Sequence, residues 1–232
     1  MATEEIAPGV HRIDAIGLSN QVNVLAISAA DGWTLVDTGV GGNPKRIQAA
    51  LAALGVAPAK LTTIYLTHAH PDHVGGLAAM RAWAPEAEVV ASQHEAEILR
   101  GERPGDPSSN AVLRALQGSM KAPLTPAARS VEEGDLVAGF RVVATPGHSG
   151  GHTCLLSEEH GILFTGDAFG ALPFRVRVGV RPFLCNNPAQ AKRSAEKLLE
   201  EEYRTVVLSH GKVLRDKPRE FLRQVVADCR YR

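Results

Sequence analysis

The stretch IYLTHAHPDHVGGL, residues 64–77, places three of the chain's nine histidines and an aspartate within six positions: His68, His70, Asp72 and His73. Imidazole nitrogen and carboxylate oxygen are the donors that Zn2+ and related divalent ions accept. Gathered away from water without a cation, such groups carry a large desolvation cost. Packing gives no reason to crowd this much imidazole into one turn. Four such donors in six residues can hardly all reach one ion, so two neighbouring ions are the natural reading. Further ligands must come from elsewhere, and candidates stand in similar text: His148 in TPGHS after RVVA, Asp167 in FTGD after GILF, and His210 in LSHG after TVVL. Each follows a short apolar run, the pattern of residues collected on one rim of a sheet.

The elements that would position these residues are legible. VHRIDAI and VNVLAIS read as short strands, and ADGW turns into a third, WTLVDTG. Apolar residues at helical spacing over 45–54, with Pro44 before them and Gly55 after, predict a helix. TTIYLT then reads as a buried strand, VGGLAAMRAW as one helix, AEVVAS as a strand and HEAEILRG as a short helix. In the second half, DLVAGFRVVA, GHTCLLS, GILF and TVVLS predict strands, and AQAKRSAEKLLEEE and PREFLRQVVADC predict helices. WTLVDTG is echoed by GILFTGD, and TIYLTHAH by RVVATPGH. Two β-rich halves, each with helices, predict two packed sheets covered outside by helices.

With 232 residues, 44% hydrophobic and 22% charged, the chain has the composition of a soluble globular protein large enough to bury a core without disulfides. We expect a single domain over 1–232. The Pro/Gly/Ser-rich text at about 101–126, flanking AVLRALQGSM, is expected to form a lid or insertion. The formal net charge of zero offers no field for nucleic acid or an acidic membrane. Cys154, Cys185 and Cys229 are odd in number and widely spaced, which argues against a disulfide framework and for a reducing compartment. With no apolar leader and no long apolar run, the expected location is cytoplasmic.

The pattern HAHPDH at 68–73, then His148, Asp167 and His210 in that order, resembles the metallo-β-lactamase superfamily. Asp37 in LVDTG matches that family's early aspartate, and the likeness spans Asp37 to His210. The resemblance implies an α+β fold, the four-layer αββα sandwich. It implies that His68, His70 and His148 bind a first metal and Asp72, His73 and His210 a second, with Asp167 bridging the two. Asp37 then orients the loop or a ligand rather than binding metal. Two divalent ions are implied, Zn2+ first, with Fe or Mn accepting the same donors. At about 3.5–4 Å apart they would share an activated hydroxide, and Asp72 beside it would shuttle the proton. The implied activity is hydrolysis of an ester, thioester or lactone bond in a small-molecule substrate, with neither nucleic acid nor membrane as partner. The alternative is an oxidoreductase with one iron, similar to the persulfide dioxygenases of this fold. Phosphodiesterase, nuclease and β-lactamase activities rank lower, the last because the implied ligand set contains no cysteine.

On the substrate side, FGALPFRVRVGVRPFLCNN at 169–187 sets Phe169, Leu172, Phe174 and Phe183 beside Arg175, Arg177 and Arg181. An apolar wall with guanidinium groups would suit an acyl chain bearing a carboxylate or phosphate; the equal alternative is a strand with its arginines in water. Lactonases of this fold use a tyrosine from the region after the bridging aspartate, and Tyr65, Tyr203 and Tyr231 all lie outside 168–200. About twenty residues follow His210, short of the basic helical extension typical of glutathione thioester hydrolases. HEAE at 94–97 resembles a motif of the family's tRNA-processing nucleases but reads more simply as a solvated helix start. His152 is expected to be structural or supporting, and His11 and His160 ordinary.

Overall fold

A computed structural model describes residues 3–110, 125, 128–171 and 175–231. The contacts divide these residues into two compact units. The first holds residues 3–104, 125, 128–131 and 137–139, and the second holds the rest. The text expected to form a lid falls largely outside the described residues, AVLRALQGSM wholly so.

The first unit is built on a seven-stranded sheet in chain order: β1 (Thr3–Ala7), β2 (Val10–Asp14), β3 (Asn23–Ala29), β4 (Gly32–Val36), β5 (Leu61–Leu66), β6 (Glu88–Ser92) and β7 (Arg129–Val131). The first four pair antiparallel, and β4 to β7 run parallel. The polar edge strand β1 has too little apolar alternation to be legible from its own text. The helices are α1 (Pro44–Ala53), α2 (Pro71–Val74), α3 (Leu77–Trp83) and α4 (Gln93–Arg100). Proline stands at the first position of α1 and α2, where its missing N–H costs nothing. Ser92 caps α4, and Gly101, at φ +78°, ends it. Ile47, Leu51, Leu35, Ile64, Leu66, Leu77 and Met80 belong to this unit's buried core. Each such side chain contributes about 1.5–3 kcal/mol relative to its exposed form.

The single helix expected over VGGLAAMRAW is two helices, interrupted at Gly75–Gly76. Both positions admit only a residue without a Cβ. A Cβ on Gly76 would be driven onto the Thr38 carbonyl oxygen, and one on Gly75 onto the backbone of Gly41 and Pro71. The loop after β5 thus lies directly against the loop after β4.

The second unit carries a five-stranded sheet, ordered β14 (Thr205–Val207), β11 (Ile162–Phe164), β10 (Thr153–Ser157), β9 (Phe140–Ala144) and β8 (Leu136–Val137). A two-stranded ribbon pairs β12 (Phe169–Gly170) with β13 (Arg177–Val178). Because β10 is antiparallel to both β9 and β11, and β11 is parallel to β14, strands β9, β11 and β14 point the same way. Helices α5 (Pro188–Leu198) and α6 (Pro218–Ala227) complete it. Asn187 caps α5 by accepting from the Gln190 N–H at 3.1 Å. Cys154, Leu156, Leu163, Phe169, Ala195, Leu198 and Leu222 lie in the core. Among the described residues, no helix is long and apolar enough to cross a membrane.

Two outcomes follow. Gly76→Ala is expected to destabilise the protein by about 1–3 kcal/mol through overpacking, read as a lower thermal midpoint. The second concerns the cysteines, which are all free thiols. Burial pushes Cys154 and Cys185 up to about 12, while an unfolded thiol titrates near about 8.5. The folded state therefore holds these protons more tightly. Their stabilisation is complete below that lower value and is lost as pH rises through 9 toward 12. At pH 8 a thiol reagent should leave both unmodified until denaturant is added, and rapid native labelling of either would refute the assignment.

Candidate metal centre

In the first unit the site begins where parallel strands β4 and β5 end side by side. Val36 pairs with Tyr65, and the Asp37 N–H donates to the Tyr65 carbonyl at 2.8 Å. Chain leaving adjacent parallel strands at their carboxyl ends is where α/β folds collect ligands. Asp37 adopts a left-handed φ of +62°, which aspartate tolerates better than most residues, and it is 1% exposed. Its carboxylate accepts from the Thr67 N–H at 2.9 Å, from the Thr67 hydroxyl at 2.9 and 3.0 Å, and from His73 Nδ1 at 2.8 Å. A buried carboxylate requires this degree of satisfaction.

That arrangement sets two imidazoles. His73 gives its Nδ1 proton to Asp37, which leaves Nε2 with a lone pair. The Thr67 hydroxyl proton goes to Asp37, so its oxygen accepts from His68 Nδ1 at 3.1 Å. His68 is thereby also held with Nε2 as the basic nitrogen. The backbone is pinned as well: the Thr38 N–H and hydroxyl both donate to the His73 carbonyl, at 2.7 and 2.8 Å. His70 is the N-cap of α2, with the His73 and Val74 N–H groups returning to its carbonyl. The His68 ring centroid lies 4.5 Å from that of His70 and 4.0 Å from that of His73. Asp72 differs from the buried His68 and His73 in that its side chain is 39% exposed.

In the second unit the donors follow the three co-directional strands, His148 after β9, Asp167 after β11 and His210 after β14. Asp167 presents one carboxylate oxygen to each histidine. Its Oδ2 lies 3.2 Å from His148 Nε2, and its Oδ1 lies 3.4 Å from His210 Nε2. These separations exceed a charge-assisted hydrogen bond. They match the spacing of about 3.4 Å between two donors that share a tetrahedral ion at bond lengths near 2.1 Å. His148 Nδ1 donates to the Gly179 carbonyl at 3.3 Å, again leaving Nε2 as the basic nitrogen. The His148 loop is tied to the start of α5, since the Asn186 N–H donates to the His148 carbonyl and the Asn187 N–H to that of Gly147.

Each unit thus brings its own sequence-predicted residues together: Asp37, His68, His70, Asp72 and His73 in the first, and His148, Asp167 and His210 in the second. All but Asp37 fall in groups of His and Asp donors that could hold a metal ion. Two residues of the first unit escaped sequence reasoning. Thr67 reads as the last residue of a strand but joins Asp37 to His68. Glu95 is 1% exposed rather than a solvated helix start, and its carboxylate accepts from the Ala69 N–H at 2.9 Å, fixing the backbone between His68 and His70. Its position three residues after the Ser92 cap was the available signal. On the substrate side, Phe169 is fully buried in the core and is no pocket wall. Phe183 is exposed, and Arg175 pairs with Asp228. Leu172 and Phe174 lie outside the described residues.

Removing the Thr67 hydroxyl isolates the role of this connection. Thr67→Val is expected to weaken metal affinity by about 10–100-fold with little loss of folded protein, measured by competition with a chromogenic chelator. Unchanged affinity would show that the Asp37–Thr67–His68 chain does not tune the site.

A family model described as the metallo-beta-lactamase superfamily matches residues 19–210. The Bacillus subtilis protein called Uncharacterized protein YobT is 29% identical over 224 residues, 88% of this chain and 89% of that protein. An acyl-coenzyme A thioesterase, MBLAC2 of Gallus gallus, is 33% identical over 166 residues; the match covers 64% of this chain and only 57% of that protein. The solved structure of TTHA1623 in a di-iron-bound form superposes with a TM-score of 0.67 at 28% identity, covering 93% of this chain and 96% of that one. The likeness carries the fold, the four-layer αββα sandwich. With His and Asp residues grouped so that they could hold a metal ion, and with the family model matching from residue 19 to residue 210, this chain belongs to the metallo-β-lactamase superfamily.

Proposed function

We propose that the chain is a dinuclear metal-dependent hydrolase of small-molecule thioesters, or of closely related esters. The observation that carries this reading is the Asp167 carboxylate, which offers one oxygen toward each of two histidine nitrogens at co-ligand spacing. In this reading His68, His70 and His148 hold one ion, Asp72, His73 and His210 hold the other, and Asp167 belongs to both. The donors are nitrogen and oxygen throughout. Cys154 is committed to the Thr165 carbonyl and Cys185 to the carbonyls of Gly179 and Arg181, so neither serves as a soft ligand. Zn2+ is the first expectation, and the di-iron form of a relative makes iron the second.

Divalent ions held here would acidify a water and polarise the carbonyl of the scissile bond. The chain's own residues supply the rest. Asp37 and Thr67 hold His73 and His68 with their Nε2 atoms inward. Asp72, with its solvent-open carboxylate, accepts the proton as the water oxygen bonds to the carbonyl carbon. It returns that proton to the departing sulfur as the carbon–sulfur bond breaks. Thioesters are favoured because an acyl-coenzyme A thioesterase stands among the relatives.

The test is elemental analysis together with a panel of chromogenic thioesters, esters, lactones, phosphodiesters and a cephalosporin. Two ions per chain and turnover of a thioester are expected, with Asp167→Ala losing more than about 100-fold in kcat/KM, beyond the effect of losing a supporting contact. Two ions without turnover of any carbonyl substrate would refute the bond class. One iron with oxygen uptake would assign the chain to oxidoreductase chemistry instead.

A further inference from the structure

Directly beneath Asp167 lies a buried chain of hydrogen bonds that the proposed reaction does not use. The backbone N–H of Asp167 donates to His152 Nε2 at 2.8 Å. A main-chain amide can only donate, so Nε2 is the bare nitrogen and Nδ1 carries the proton. His152 Nδ1 then donates to the Thr145 hydroxyl oxygen at 2.8 Å. The Thr145 hydroxyl lies 3.3 Å from Cys154 Sγ, and the Cys154 thiol in turn donates to the Thr165 carbonyl at 3.2 Å. With the thiol proton committed, the Thr145 hydroxyl donates to the sulfur, with the His152 carbonyl at 3.5 Å as a second acceptor. Read donor to acceptor, the bonds run Asp167, His152, Thr145, Cys154, Thr165. The chain thus closes on the residue two before its start. His152, Cys154 and Thr165 are 0% exposed, and Thr145 is 1% exposed. Burial keeps the Cys154 thiol protonated, consistent with its place as a donor.

The closed ring spans the turn that presents Asp167. Thr165, Gly166 and Asp167 leave the end of β11 with Gly166 at a left-handed φ of +46°. Within the turn the Ala168 N–H returns to the Thr165 carbonyl at 3.0 Å. The ring clamps both ends of this turn, one through its amide and the other through its carbonyl. Buried polar groups in such a network hold one arrangement, because any alternative strands a donor or acceptor away from water.

We propose that His152, fixed in one tautomer by Thr145 and Cys154, is a positioning residue that aims the Asp167 carboxylate through its backbone amide. The proposal rests on the reading of Asp167 as a shared metal ligand. It differs from a packing role in one measurable respect: a misaimed shared ligand weakens both ions together, whereas lost packing lowers only the thermal midpoint.

The experiment compares holoenzyme of the wild type, His152→Gln, His152→Leu and Thr145→Val by competition with a chromogenic chelator, with the thermal midpoint read on the same samples. Glutamine places an amide oxygen where Nε2 stands and can still accept from Asp167. His152→Leu is expected to lose about 10–100-fold in affinity for both ions, as outer-shell partners do, with His152→Gln recovering most of the loss. A lower midpoint at wild-type affinity in His152→Leu overturns the proposal, as does a glutamine variant no better than leucine. If the leucine variant does not fold, Thr145→Val carries the test: roughly tenfold weaker binding supports the proposal, and unchanged affinity overturns it. A wild type that holds no metal overturns the metal reading and this proposal together. A wild type that holds two ions beside unaltered variants overturns the proposal alone.

Discussion

A buried imidazole is best held to offer one nitrogen to a cation when its other nitrogen is committed to an anchored partner. That constraint organises both units. His73 gives its Nδ1 proton to Asp37, His68 gives its own to the Thr67 hydroxyl, and His148 gives its own to the Gly179 carbonyl. In every case the partner is anchored at a strand end or in a loop tied down by backbone hydrogen bonds. The same logic in reverse explains His152, whose Nε2 is taken by a backbone amide and which therefore supports a donor instead of being one.

The sheets exist, for function, to supply rigid strand ends. In the first unit two parallel neighbours end together and set Asp37 beside Thr67. In the second, three co-directional strands release His148, Asp167 and His210 on one rim. Glycines then allow loops to approach closely. Gly76 lets the loop after β5 lie on the Thr38 carbonyl, and in the same approach the Thr38 hydroxyl donates to the His73 carbonyl. Burial raises the cost of every error in this arrangement. A misplaced hydroxyl or amide here has no water to turn to, so the network either forms fully or is displaced as a unit.

Much of this was legible in the text. Strands β2 to β6 and β9 to β11 announce themselves by β-branched runs bounded by turns, and the helices by proline starts and apolar spacing. The donor-rich segment HAHPDH is unmistakable because no packing demand explains it. What failed to show were the elements with weak local signal: the polar edge strand β1 and the three-residue β7. Their conformation is imposed by a partner strand. The split of α2 from α3 was likewise invisible in the local text, and the close approach that requires glycine at 76 involves Thr38, far off in sequence.

Which residues could bind a metal was therefore legible in the sequence alone, because residue type and crowding decide which atoms can serve as ligands. The supporting cast was decided only by the tertiary structure. Thr67, Glu95, Thr145 and Cys154 are ordinary residues whose roles come from where their single polar groups end up. Glu95 becomes a backbone anchor only because α4 sets its carboxylate against the Ala69 amide. Cys154 becomes a link in a closed ring only because β10 carries it past Thr165. A hydrogen bond depends on distance and direction to a few tenths of an ångström, and such relations between residues remote in the chain exist only once the fold has formed.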